Sequence, residues 1–250
     1  MNEETRGRFL RVAPKFCPGC GNEKVIDSLL MSIEKLYGST DNFVFVSGIG
    51  CAAWIPSPHI KADTIHTTHG RPITFATGVK LANPNLKVVV ISGDGDLAGI
   101  GGNHLIHAAR RNVEMTVICV NNLVYGMTGG QLSPTTPRGA ITSTTSDGNI
   151  EYPFDLARLV MNAGASYSAR WTTLNKNQLQ SSIEKALKKG QKGFAFVEII
   201  SPCTTQFTRQ NLKAFHEAKN MLSMGELNDI EREGFVGKIR NTIKENNSSG

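Results

Sequence analysis

Apolar positions along this chain follow two periods in alternation. Val25, Ile26, Leu29, Leu30, Ile33 and Leu36 recur at helical spacing, and Gly38 supplies the stop. Short apolar runs of strand length follow at 43–47, 87–92, 114–120 and 194–200. Helical patterns return between them at 100–111, 154–163 and 177–189. Strand and helix in this order predict an α/β fold, a mostly parallel sheet with helices on both faces. Residues 1–16 read as a polar arm. A loop rich in Gly, Pro, Ser and Thr spans about 125–150, and its part 125–139 is too polar for core. Its position predicts a cover for a ligand or a contact with another chain. The expected division is a main domain over 1–203 and a polar extension over 204–250. The extension carries amphipathic stretches at 212–221 and 230–243 and a mobile tail from 246 to 250.

Pattern then turns into chemistry. In a parallel sheet the carboxyl ends of the strands share one edge, and ligands bind in the crevice there. The four predicted strands end at Gly48-Ile49-Gly50-Cys51, Gly93-Asp94-Gly95, Asn121-Asn122 and Pro202-Cys203. Separate parts of the sequence therefore converge on one rim.

A strand that runs through Gly-Asp-Gly into a helix offers backbone N–H groups and a helix N-terminus to an anion. Gly93-x-Gly95-x-x-Ala98 also fits a dinucleotide fingerprint, a weak pattern by itself. Two details oppose that reading. A carboxylate at Asp94, inside the turn, repels a pyrophosphate unless a cation lies between them. The acid expected after the next strand to hold a ribose is absent, since that strand ends in Asn121-Asn122. A hard cation accounts for both: Mg²⁺ takes octahedral oxygens, and Asp94, the Asn122 amide oxygen and the Val124 carbonyl can supply them. The pattern points to a diphosphate held through Mg²⁺.

The chain has five cysteines. Cys17 and Cys20 form a C-x-x-C pair, and Cys51 and Cys203 each follow a strand. Four thiolates match the ligand count of a 4Fe–4S cluster and equally of structural zinc. Zinc ribbons usually use two close C-x-x-C pairs, whereas here the last two ligands are single and distant, which favours iron–sulfur. Cys119, inside an apolar run, reads as a buried, inert thiol.

Of the histidines, His104 and His107 fall on neighbouring turns of a predicted helix without a third ligand nearby, so packing is their expected role. His66 and His69 precede Gly70-Arg71 in a turn. His69 or Arg71 could meet a substrate carboxylate or the cofactor, and Arg71 could instead brace the loop. Charge adds little more. The net charge of +6 suits an acidic partner or a solvated surface. Basic residues are dispersed and not interleaved with aromatics, so nucleic acid is not expected. Neither a signal peptide nor an apolar stretch near the ~20 residues of a membrane span is visible, so a cytoplasmic protein is expected.

Together these motifs resemble a known family. Gly93-Asp94-Gly95, 25 residues, then Asn121-Asn122 is similar to the thiamine diphosphate motif. With Phe16-Cys17-Pro18-Gly19-Cys20-Gly21, Gly48-Ile49-Gly50-Cys51, His66-Thr67-Thr68-His69-Gly70-Arg71 and Tyr125-Gly126-Met127-Thr128-Gly129-Gly130-Gln131, it resembles the β subunit of 2-oxoacid:ferredoxin oxidoreductases over residues 14–211. The resemblance implies that Asp94, Asn122 and the Val124 carbonyl hold Mg²⁺ and that Gly93, Gly95 and Asp96 surround the diphosphate. It implies that Ile49, Gly50, Cys51 and Ala52 pack on the thiamine end, and that Gly126 and Met127 line the cofactor and substrate side. Cys17, Cys20, Cys51 and Cys203 would carry a 4Fe–4S cluster. The implied reaction is oxidative decarboxylation of a 2-oxoacid with coenzyme A, electrons leaving to ferredoxin. The acid that activates the aminopyrimidine would come from a partner α subunit, because none is identifiable here. Among 2-oxoacids the pattern looks most like the 2-oxoglutarate or broad-specificity members. The alternatives are a non-redox thiamine diphosphate-dependent decarboxylase subunit with structural zinc, and a nucleotide-binding or iron–sulfur carrier module without catalysis.

Overall fold

The computed structural model describes residue 1, residues 3–207 and residues 209–248, the side chain of Ser248 excepted. Elements follow the order α1 (Glu3–Phe9), α2 (Asn22–Tyr37), β1 (Phe43–Ser47), β2 (Asp63–His66), α3 (Pro72–Ala82), β3 (Lys87–Gly93), α4 (Gly102–Arg111) and β4 (Met115–Asn121). A small hairpin, β5 (Val124–Tyr125) and β6 (Gln131–Leu132), comes next. Then follow α5 (Leu156–Ala163), β7 (Tyr167–Thr172), α6 (Lys176–Lys189), β8 (Phe194–Ile200), α7 (Leu212–Met221), β9 (Gly225–Asp229) and α8 (Phe235–Ser248).

Seven strands form the main sheet in the order β2-β1-β3-β4-β8-β7-β9. Every pairing is parallel except that of β9 with β7. Alternation along the strands builds two cores. Phe43, Phe45, Val89 and Ile91 point to the layer that holds α2 and α6, while Val44, Val46, Val88 and Val90 point to the layer that holds α3, α4 and α5. Central strands are buried on both faces, which is why they read as continuous apolar runs. The fold class expected from the pattern is the one observed. Helix α2 stops at Gly38, whose left-handed φ of 71° lets its N–H reach the carbonyls of Ile33 and Glu34.

Some segments depart from the expected reading. Residues 1–16 are more than a loose arm, because α1 buries Phe9 and Arg6 bonds Asp27 of α2. Ser133, Thr135 and Thr136, in the loop expected to be too polar for core, are buried because their hydroxyls donate hydrogen bonds to the Asp94 carboxylate and the Leu123 carbonyl. Strand β9 lies beyond residue 203 and extends the sheet, and the Glu114 carboxylate caps α8 by accepting from Val236 N–H and Gly237 N–H, each at 2.9 Å. Helix α8 runs on through residues 246–248 of the expected mobile tail. Ser249 and Gly250 of that tail lie outside the described residues.

Candidate active site

The carboxyl ends of β1, β3, β4 and β8 meet on one rim, as parallel pairing requires. At the end of β3 the chain enters a π-helical turn, Gly95–Ile100, before α4, and Asp94 stands at its head. Asp94 is 1% exposed. Its Oδ1 accepts from Asn122 N–H at 3.2 Å, and its Oδ2 accepts from Ser133 Oγ at 2.7 Å and Thr135 Oγ1 at 2.5 Å. Burial pushes the Asp94 carboxyl above its ordinary range, against the pull of the Thr135 and Ser133 hydroxyls and the Asn122 N–H. Among the described residues no Lys, Arg or His pairs with Asp94; its partners there are neutral donors. A buried carboxylate so placed favours a cation.

Asp96, two residues on, is equally buried but fully engaged. Ile49 N–H and Gly70 N–H donate to its Oδ1 at 3.2 and 2.7 Å, and Ser92 Oγ donates to its Oδ2 at 2.6 Å. His69 Nδ1 lies 2.6 Å from Oδ1, without the alignment of a hydrogen bond. Asp96 thus ties the loops after β1 and β2 to the end of β3. Gly48 permits this, since a Cβ there would overlap the Asp96 carboxylate.

A pit of about 80 Å³ opens at the head of the turn. Ile49, Gly50, Cys51 and Ala52 form one wall, Gly93, Asp94, Gly95 and Asp96 the base, and Asn122, Val124, Gly126 and Met127 the other wall, with His69 beside them. Arg71 lines neither this pit nor the cavity beside it. Its Nη1 reaches the carbonyls of Gly70 and Ile100, each at 3.4 Å, so its position is that of a loop brace. Tyr125 donates its hydroxyl to the Gly95 carbonyl at 3.1 Å and packs its ring edge-on to His69. A side chain at Gly95 would collide with that ring.

Beside the pit lies a cavity of about 1330 Å³, lined by Cys17, Cys20, Cys51 and Cys203 together with Asn122, Gly126 and Met127. The C-x-x-C loop folds on itself through Cys20 N–H donating to the Cys17 carbonyl at 3.0 Å. It is fastened to the fourth cysteine's loop by Thr204 Oγ1, which donates to the Pro18 carbonyl at 3.1 Å. Burial, reinforced by the charges of Cys203, Cys20 and Cys17, pushes the Cys51 thiol up to about 11. Burial likewise raises Cys20, with Cys17 and Cys203 adding to the shift. All four cysteines face this one cavity. Cys119 is fully buried, and burial holds its thiol well above the ordinary range.

Pit and cavity adjoin. Cys203 N–H donates to the Asn122 carbonyl at 3.1 Å, and a Cβ on Gly126 would stand 3.2 Å from Cys203 Sγ and 3.4 Å from Asn122 Nδ2. Ser133 and Thr135 lie in the polar run expected to cover a ligand, but their hydrogen bonds to Asp94 were not legible in it, and Ser92, which donates to Asp96, was missed inside an apolar strand.

Residues 48–199 match the family model described as thiamine pyrophosphate enzyme, C-terminal TPP binding domain. The 2-oxoglutarate synthase subunit KorB of Methanothermobacter thermautotrophicus is 59% identical over 196 residues, covering 78% of this chain and 68% of the relative. Its counterpart in Methanocaldococcus jannaschii is 46% identical over 252 aligned positions and 92% of each chain. The 2-oxoacid:ferredoxin oxidoreductase subunit beta of Saccharolobus solfataricus is 42% identical over 191 residues, 76% of this chain and 62% of that one. Among solved structures, 2-oxoglutarate:ferredoxin oxidoreductase from Magnetococcus marinus, with 2-oxoglutarate, coenzyme A and succinyl-CoA bound, superposes with a TM-score of 0.89 at 28% identity. That superposition covers 96% of this chain and 90% of the other. Motif, fold and relatives agree: the chain belongs to the thiamine diphosphate-binding β subunits of the 2-oxoacid:ferredoxin oxidoreductases.

Proposed function

We propose that this β subunit holds thiamine diphosphate through Mg²⁺ on Asp94, Asn122 and the Val124 carbonyl, and a 4Fe–4S cluster on Cys17, Cys20, Cys51 and Cys203. The reaction proposed is oxidative decarboxylation of 2-oxoglutarate with coenzyme A, electrons leaving to ferredoxin. The relatives named above for 2-oxoglutarate support the choice of substrate. When bound, thiamine diphosphate supplies the electron sink for loss of CO₂, and the cluster accepts electrons one at a time.

The observation that carries this reading is the contact between pit and cavity through Gly126, Cys203 and Asn122. Each residue has a definite task. Asp94, buried without a cationic side chain, supplies negative charge to the metal. Glycines at the pit let backbone approach a diphosphate, and Asp96 holds the loops rather than the ligand. Met127, half exposed, faces both spaces and is placed to meet the substrate chain. His69 is the nearest imidazole and suits the substrate carboxylate, while Arg71 keeps its loop in place. Cys17, Cys20, Cys51 and Cys203 all line the cavity beside the pit, and two single, distant ligands beside one C-x-x-C pair favour a cluster over a zinc ribbon. An α subunit completes the pocket and brings the activating acid, and the net charge of +6 suits docking of an acidic ferredoxin.

Metal analysis and the visible spectrum of the anaerobically purified complex, with assays on several 2-oxoacids, test the proposal. Expected are about four irons per chain, a broad visible absorbance bleached by 2-oxoglutarate plus coenzyme A, and fastest ferredoxin reduction with 2-oxoglutarate. Zinc in place of iron would overturn the cluster, and a preference for pyruvate would overturn the substrate.

A further inference from the structure

We infer that Glu198 and Asn121 are positioning residues which, by fixing the direction of one amide, hold the bent segment carrying two of the proposed Mg²⁺ ligands. This rests on the metal reading proposed above. Leu123 stands between Asn122 and Val124 with φ of 70°, in the left-handed region that a leucine rarely occupies. Something must hold it there. Leu123 N–H donates to Asn121 Oδ1 at 3.2 Å, and Thr136 Oγ1 donates to the Leu123 carbonyl at 2.6 Å. Val124 N–H donates to Asn122 Oδ1 at 3.3 Å.

The first of these bonds depends on which way the Asn121 amide faces, and a neighbouring strand decides it. Glu198 of β8 is 1% exposed. Its carboxylate can only accept, so Asn121 Nδ2 turns to its Oε1 at 2.7 Å. Oδ1 is then left for Leu123 N–H and for Thr135 Oγ1, 2.9 Å away, the same hydroxyl that meets Asp94. Glu198 is in turn anchored by Arg170 Nε at 2.8 Å and Ala157 N–H at 3.2 Å. A reversed amide would set Asn121 Nδ2 against Leu123 N–H, donor against donor, and release the bend. The line from Arg170 through Glu198 and Asn121 therefore orients the two ligand-bearing positions Asn122 and Val124 without touching the metal.

Calorimetric titration of the assembled complex, stripped of cofactor and divalent metal, tests this: thiamine diphosphate is added at a series of Mg²⁺ concentrations. Glu198→Gln disturbs the direction of the amide and changes a charge, whereas Asn121→Leu removes the amide and keeps every charge. Both should raise the Mg²⁺ half-saturation about tenfold or more, the range usual for residues that orient metal ligands. The double variant should be no worse than the more impaired single, because both act through one line. Circular dichroism confirms that each is folded. Should Glu198→Gln fail to fold, its combination with Arg170→Met, which removes the stranded cation, takes its place. An unchanged half-saturation in Asn121→Leu, or losses that multiply in the double variant, overturns the inference and leaves the metal reading standing. Wild-type binding of thiamine diphosphate that ignores Mg²⁺ overturns the metal reading itself.

Discussion

Asp94 and Asp96 stand two residues apart, both buried, yet their carboxylates meet different partners. Asp96 is saturated by donors from three separate segments, while Asp94 keeps only neutral donors, which leaves it suited to a cation. Spacing in the sequence located both residues; it could not divide the labour between them, because that depends on Ile49, Gly70 and Ser92 arriving from elsewhere. Cys51 offers a direct check at this scale. Its thiol holds its proton up to about 11, against an ordinary 9.0, because of burial and then the neighbouring thiolates. Between those values the unfolded chain binds fewer protons than the folded one, so cluster-free protein loses stability as pH rises through that window. At pH 8, alkylation of Cys51 in the cluster-free chain should be on the order of tenfold or more slower than that of an unstructured thiol. Mass spectrometry reads the rate, and equal rates would contradict the crowded geometry.

Strands β1, β3, β4 and β8 are legible in the sequence because burial on both faces writes a continuous apolar run. Strand β7 escaped notice for the opposite reason: Ser168 and Arg170 are buried polar residues in the run Tyr167–Thr172, and their compatibility with core comes entirely from distant partners. Arg170 is fully buried against Glu198 and Asp155, and its Nη1 also donates to the Ser223 carbonyl at 3.0 Å. Removing it leaves Glu198 as an uncompensated buried charge. Arg170→Met should therefore cost about 3–5 kcal/mol of stability, read as a lowered urea midpoint at unchanged slope. Helix α3 and strand β2 were missed as well, the first for its threonines and the second because its residues are half exposed and carry no clear alternation.

As a whole, the molecule places the pit of about 80 Å³ and the cavity of about 1330 Å³ side by side on one rim, and under the proposed reading an α subunit covers that rim. Purified alone, the subunit should support no 2-oxoacid-dependent reduction of ferredoxin or viologen dye, and adding the α subunit should restore it. Full turnover by the lone chain would remove the need for a shared site. No helix among the described residues is long and apolar enough to cross a membrane. The backbone joint between Cys203 and Asn122 couples the loop of one proposed sulfur ligand to the segment of the proposed metal ligands. Under the proposed assignment, a backbone shift in either loop would be felt at both seats, so damage to one would not stay local.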